Sequence, residues 1–257
     1  SPDGELLLTS CGSQTDDTLP AAQIWCVKTG ARVAPMLIHP KFVEQAQFSP
    51  NGLLVATASR DGQARVWDFS HSGLADPGAS SLPLDENGLL ILPGGPPQVR
   101  EFSHRNEVTC VAFNRDGSLL ATGSNDKLVQ LWNPISGSPQ FPPLQHDGWV
   151  THVSFTPDGR ALVTVAADRV MRIWDLRDGA RLLFQQEHDS LVSHLAVSPS
   201  GRAIATVCNA PLGGVHCAQI WDADTGQSLA EKMTSASAIT AATFSPDEQC
   251  LFLGDRE

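Results

Sequence analysis

A tryptophan recurs along this chain at a near-constant distance from a turn, and that recurrence constrains the fold more than any other feature. Five of the six tryptophans, Trp25, Trp67, Trp132, Trp174 and Trp221, are each followed by an apolar residue that opens onto a turn quartet. The quartets are Ser49-Pro50-Asn51-Gly52, Asn114-Arg115-Asp116-Gly117, Thr156-Pro157-Asp158-Gly159, Ser198-Pro199-Ser200-Gly201 and Ser245-Pro246-Asp247-Glu248, with a sixth at the start, Ser1-Pro2-Asp3-Gly4. Ahead of all but that last one stand Phe48, Phe113, Phe155, Val197 and Phe244. The step from tryptophan to apolar residue is 23 in four cases out of five; Trp67 to Phe113 is 46 and so carries 23 extra residues. Self-similarity at a fixed period is the mark of a repeat architecture.

Each unit reads as four short strands. The unit containing Trp132 has a first strand at 108–113, the Asp/Gly turn, a second at 119–123, a turn at Asp126 and a third at 128–132. A poorer fourth strand follows a small-residue turn such as Thr29-Gly30 or Ser136-Gly137. Four antiparallel strands in about 42 residues cannot bury both faces alone, so the units must stack side by side, as in an all-β propeller. The Ser-Pro-Asp-Gly turns, the Asp before the third strand, and Trp67-Asp68, Trp174-Asp175 and Trp221-Asp222 resemble WD40 repeats over essentially the whole chain. Thr29-Gly30 leading to Pro35 and His39, and Ser136-Gly137 leading to Pro142 and His146, resemble more narrowly the WD40 arrays of bacterial multidomain signalling proteins, which often trail a serine/threonine kinase or an NTPase domain.

This reading divides the chain into a partial blade at 1–41, blades at about 42–106, 107–148, 149–190 and 191–237, and a partial blade at 238–257. The first and last pieces both contain a second strand and cannot merge, so a ring of at least six blades is expected, with seven or more favoured. Ser1 is not Met and lies in a turn, so the sequence is expected to be a piece of a longer protein.

Three units share a polar set at constant spacing: His39, Thr57, Asp61 and Trp67; His104, Thr122, Asp126 and Trp132; His146, Thr164, Asp168 and Trp174. This could be taken for a catalytic Ser/Thr-His-Asp constellation, but catalysis seldom needs three copies. The structural reading is preferred. A buried carboxylate orients the histidine, the histidine bonds the hydroxyl, and the hydroxyl accepts the indole N–H, leaving each group satisfied. WD40 proteins are known to pin strands with such a network. The first and fifth units have longer loops before the third strand, around 12–19 and 209–216, and the fifth has Val215 where the aspartate would fall.

Cys208 and Cys217 flank the second of these loops and should face each other across its hairpin. They form either a disulfide or regulatory pair or, as preferred, two ordinary strand residues. The cysteines show no C-x-x-C spacing and no metal site is expected. Asp222-Ala223-Asp224-Thr225-Gly226 resembles the start of a calcium loop, but Met233 occupies the position of its closing glutamate. Neither a zincin, a nucleophile-elbow, a dinucleotide-binding nor a phosphate-loop motif is present, and no cofactor is expected.

The charge balance is 17 Lys+Arg against 28 Asp+Glu, net −11, which disfavours phosphate backbones and anionic lipid. The longest apolar run, Leu89 to Leu92, is far too short to span a bilayer. Localisation is not legible; a cytoplasmic place is the default. The expected function is a non-catalytic scaffold that binds other proteins, or another domain of the same chain, through the propeller rim. The candidate contact residues are Phe42, Glu107, Trp149 and Leu191 at the mouths of first strands, with Arg60 and Asn125 beside the turn aspartates. Trp149 either docks a partner or covers the edge of the inter-blade core. The insertion at 73–95 is expected between third and fourth strands, as a latch for another domain or as a loop packed on its own blade. Two rival functions are an enzyme at the channel, with His152 and His194 as candidates, and a nucleic-acid reader, which the charge opposes.

Overall fold

The computed structural model describes residues 1–11, 19–72, 95–177, 179–210 and 214–255, and the described residues contain strands and no helix. The chain forms two compact units, one of residues 1–126 with 132–140, the other of 127–131 with 141–257.

In the first unit, β1 (Leu6–Cys11), β2 (Ala21–Cys26) and β3 (Leu37–Ile38) form a three-stranded sheet. β4 (Val43–Phe48), β5 (Leu54–Ser59), β6 (Gln63–Asp68) and β7 (Gln98–Ser103) form a four-stranded sheet in chain order. β8 (Val108–Phe113), β9 (Leu120–Ser124), β10 (Leu128–Trp132) and β11 (Leu144–Gln145) form the next, and the division into units passes through it. The second unit adds β12 (Val150–Phe155), β13 (Ala161–Ala166), β14 (Val170–Asp175) and β15 (Arg181–Glu187). After them come β16 (Val192–Val197), β17 (Ala203–Cys208), β18 (His216–Asp222) and β19 (Met233–Ser235), then the pair β20 (Ile239–Phe244) and β21 (Leu251–Asp255).

Strand composition follows position in the sheet. The second strands are covered on both faces and carry small or branched residues: all of Leu54–Ser59 and all of Leu120–Ser124 are buried. A strand buried on both faces has no reason to alternate. The outer strand β7 has only Phe102 buried. Side chains from neighbouring sheets interlock within each unit. Val66 and Phe102 pack with Val111 and Leu120 in the first unit, and Met171 and Ile173 with Ile204 and Trp221 in the second.

The quartets close as tight turns, with the fourth N–H donating to the first carbonyl at 2.9 Å for Gly52 to Ser49 and 2.8 Å for Gly201 to Ser198. The fourth residue takes a left-handed conformation, φ +71° at Gly52 and +78° at Gly201, which glycine adopts without steric cost. In the last quartet Glu248 takes it at φ +60°, and its carboxylate reaches back to accept from Ser200 Oγ at 2.7 Å.

The register shifts at the start of each of the five first strands, between Val43 and Gln45, Val108 and Cys110, Val150 and His152, Val192 and His194, and Ile239 and Ala241. The bulged residue is a hydroxyl residue in four of them. Thr109, Thr151, Ser193 and Thr240 donate to carbonyls of their second strands at 3.0–3.3 Å. The fifth is Glu44, which has no such donor and turns outward. β6 and β7 pair from Gln63 with Ser103 to Asp68 with Gln98, so the inserted segment connects a third strand to a fourth. Of 73–95 only Gly95 lies within the described residues.

Candidate functional site

The repeated polar set is a complete relay in the sheet of β8–β11 and is arranged differently in the β4–β7 and β12–β15 sheets. In the first, Asp126 Oδ2 accepts from His104 Nδ1 at 3.0 Å, His104 Nε2 meets Thr122 Oγ1 at 2.7 Å, and Trp132 Nε1 donates to Thr122 Oγ1 at 2.9 Å. The carboxylate fixes the ring tautomer, so Nε2 is free to accept from the threonine.

The carboxylate does not reach the histidine in the other two sets, which corrects the expectation of three equivalent relays. Arg65 lies between, donating through Nη1 to Asp61 Oδ2 at 2.7 Å and contacting His39 Nδ1 at 2.8 Å. An arginine is always a donor, so Nδ1 must accept and the proton stays on Nε2. That Nε2 is buried with no partner, and Thr57 turns its hydroxyl to the Arg65 carbonyl while still accepting from Trp67 at 3.0 Å. In the β12–β15 sheet Arg172 takes Asp168 at 2.8 Å, and His146 turns Nδ1 to the Leu144 carbonyl at 3.2 Å. His146 Nε2 then meets Thr164 at 2.7 Å, and Trp174 donates to that hydroxyl at 2.9 Å. Burial, reinforced by the nearby guanidinium, pushes both His39 and His146 down to about 4. The sequence signal was available: two positions before the tryptophan stand Arg65 and Arg172, but Gln130 in the sheet with the complete relay. In the fifth unit His188 bonds Thr206 at 2.9 Å, Trp221 donates to Thr206 at 2.8 Å, and His188 Nδ1 is buried without a partner.

The rim candidates fall into two groups. In the first unit Arg60 lies 5.2 Å over the Phe42 ring, pairs with the bulged Glu44, and donates its backbone N–H to the Phe42 carbonyl at 2.9 Å. Asn125 donates to Glu107 at 2.9 Å through both its side chain and its backbone. Glu44 was not among the sequence candidates; its signal is a carboxylate where the other first strands place Thr or Ser. In the second unit Trp149 is 58% exposed and Leu191 is 53% exposed. The Trp149 carbonyl accepts from Ala167 at 2.7 Å, which fixes its backbone while the ring meets solvent.

Cys208 and Cys217 are opposite one another in the β17–β18 register, and both are free buried thiols rather than a disulfide. His152 and His194 pack with ring centroids 6.2 Å apart; burial, with some help from His194, pushes His152 down to about 4. Among the described residues no cluster of three or more His, Cys, Asp or Glu side chains is arranged to hold a metal ion, and no helix is long and apolar enough to cross a membrane.

Antiparallel four-stranded sheets repeated in this way, each tied by an indole–threonine bond, define an all-β chain of WD40-type β-propeller blades. Residues 34–68, 96–133 and 140–175 match the WD40 family, described as WD domain, G-beta repeat, and these stretches are WD repeats. It is similar to WD repeat and SOCS box-containing protein 1 of Xenopus tropicalis, 32% identical over 112 residues, covering 43% of this chain and 21% of that protein. It is also similar to Probable cytosolic iron-sulfur protein assembly protein 1 of Mycosarcoma maydis, 30% identical over 150 residues, 49% of this chain and 32% of that one. Protein HIR1 of Yarrowia lipolytica is 36% identical over 87 residues, 33% of this chain and 8% of its own length. The matched region thus spans about a fifth of the length of the Xenopus relative. WD40 domains are in general non-catalytic scaffolds.

Proposed function

We propose that this region is a protein-interaction scaffold that engages its partner through the rim carrying Trp149 and Leu191. One observation carries the reading. Trp67, Trp174 and Trp221 are at most 8% exposed, whereas Trp149 presents more than half its surface to solvent. A large rigid amphipathic ring held by a fixed backbone is the side chain that most often dominates a protein interface. In the first unit Phe42 and Arg60 form a second, self-paired patch that would add specificity.

The partner is another protein or another domain of the same chain; the resemblance to bacterial signalling arrays favours a linked kinase or NTPase as that domain. An enzyme at His152 and His194 is the weaker reading, because a histidine pushed down to about 4 is a poor base at neutral pH. The net charge of −11 weighs against nucleic acid.

The test is affinity capture from lysate of the source organism, comparing wild type with a Phe42→Ala/Trp149→Ala double variant that circular dichroism shows to be folded. A protein held by wild type and lost from the variant is the expected result. Equal capture by both overturns the rim as the docking surface, and no capture by wild type overturns the scaffold reading.

A further inference from the structure

The fifth blade holds a pair of thiols with a route to solvent. Cys208 ends β17 and Cys217 lies near the start of β18, directly opposite in register, 3% and 5% exposed. Directly opposed residues of an antiparallel pair have Cα atoms about 4.5 or 5.5 Å apart. Both separations fall within the roughly 4.4–6.8 Å that a disulfide spans. The pair is not sealed in the core. Both cysteines line a cavity of about 380 Å³ together with His188, Gln219, Trp221 and Lys232. A second cavity of about 320 Å³ shares Cys217, Lys232 and Asp189 with the first.

The same hairpin end is tied differently from the one in the blade before it, by His216 Nδ1 to Asn209 Oδ1 at 3.1 Å rather than by an arginine–carboxylate pair. There Arg172 clamps the turn carboxylate Asp168. Here Gln219 stands in place of the arginine and Val215 in place of the aspartate, and His188 Nδ1 is buried unpartnered. A covalent link between β17 and β18 would add to that hydrogen bond a tie in place of the missing arginine–aspartate pair.

We propose that Cys208 and Cys217 form a reversible disulfide, made and broken by exchange with a low-molecular-weight disulfide of the glutathione type that enters through the cavity. Cys217 loses its proton and attacks one sulfur of the small disulfide, releasing one thiol and forming a mixed disulfide. Cys208 then loses its proton and attacks the Cys217 sulfur, releasing the second thiol. The two cysteines give up two electrons and two protons, which the small disulfide takes up as two thiols. Cys217 lines both cavities and Cys208 only the first, so the first attack falls to Cys217; burial holds the Cys208 thiol well above its ordinary value, and the exchange is slow. Lys232, paired with Asp189, lines the same cavity as the two sulfurs. No part of this rests on the scaffold reading.

The test equilibrates the purified chain in glutathione buffers running from fully reduced to fully oxidised, then alkylates and digests it. Both cysteines fall in one tryptic peptide, 203–232, so the disulfide reads as two missing alkyl groups and the loss of two hydrogens. The linked form is expected to exceed half at the oxidising end, to vanish on return to reduced glutathione, and to leave Cys110 free. Cys208→Ser is expected to stop at a glutathione adduct on Cys217, while Cys217→Ser acquires none on Cys208. The wild-type measurement stands even where a variant fails to fold. A folded chain with no linked peptide at the oxidising end overturns the proposal. So does linkage that appears only in denaturant, or pairing with the exposed Cys250 instead.

Discussion

At the residue scale, one position decides how each histidine is held. With Gln130 two places before the tryptophan, Asp126 is left to His104 and the relay runs through to Trp132. With Arg65 there, the buried cation takes the carboxylate, since a guanidinium 9% exposed must be paired. The histidine is then left with a proton on a nitrogen that has no acceptor. Arg65→Gln is therefore expected to let His39 turn Nδ1 to Asp61, raising its pKa from about 4 toward the ordinary value near 6.5. Ring-proton NMR titration measures this, and a value that stays near 4 refutes the competition. Asp126→Ala strands His104 Nδ1–H and the Arg105 N–H that shares Asp126 Oδ2, at a cost of about 1–3 kcal/mol read from a urea midpoint. The shared residues of the relay were legible because repeats display what they have in common. The arginine was not, because it is a difference between repeats, and its effect depends on which of two partners a carboxylate meets in space.

At the scale of the element, the turn quartet carries most of what the sequence discloses about the fold. Its closing bond and its left-handed fourth residue are local, so a four-residue pattern suffices to place a strand boundary on either side. What a quartet touches is not local. A Cβ at Gly159 would have nothing within 4 Å, while one at Gly201 would stand 2.9 Å from Pro157 Cδ, on the ring of the preceding quartet. Gly159→Ala should therefore cost only the left-handed strain, roughly 1–2 kcal/mol. Gly201→Ala should cost about 1 kcal/mol more, because a proline ring cannot swing away as a flexible side chain would. Chemical denaturation of the two variants side by side decides this; equal losses mean that neighbouring turns do not brace one another. The bulge at each first strand was equally hidden, since Thr109, Thr151, Ser193 and Thr240 read as ordinary strand residues until the register shift is seen. Glu44 breaks the series and, through Arg60 and Phe42, converts a strand irregularity into a surface feature.

At the scale of the whole molecule, the two compact units hold their buried histidines unequally. His39 is held down in the first unit; in the second, His146 and His152 are pushed to about 4, and burial also lowers His188 and His194. An unfolded chain protonates each of these near pH 6.5, whereas the fold keeps the most buried of them neutral down to about 4. Between those values the unfolded state binds more protons, so stability is full above pH 6.5 and drains away as pH falls toward 4. Depressed carboxylates act lower: Asp175, held at about 2 by Arg177, loses its contribution only below the ordinary carboxylate range. The loss between pH 6.5 and 4 is therefore the histidines' own, and most of it belongs to the second unit. Hydrogen–deuterium exchange at pH 7.5 and pH 5, corrected for the intrinsic exchange rate, should show β12–β19 losing protection while β4–β7 largely keeps it. If β4–β7 opens first, or both open together, the buried histidines do not control acid stability.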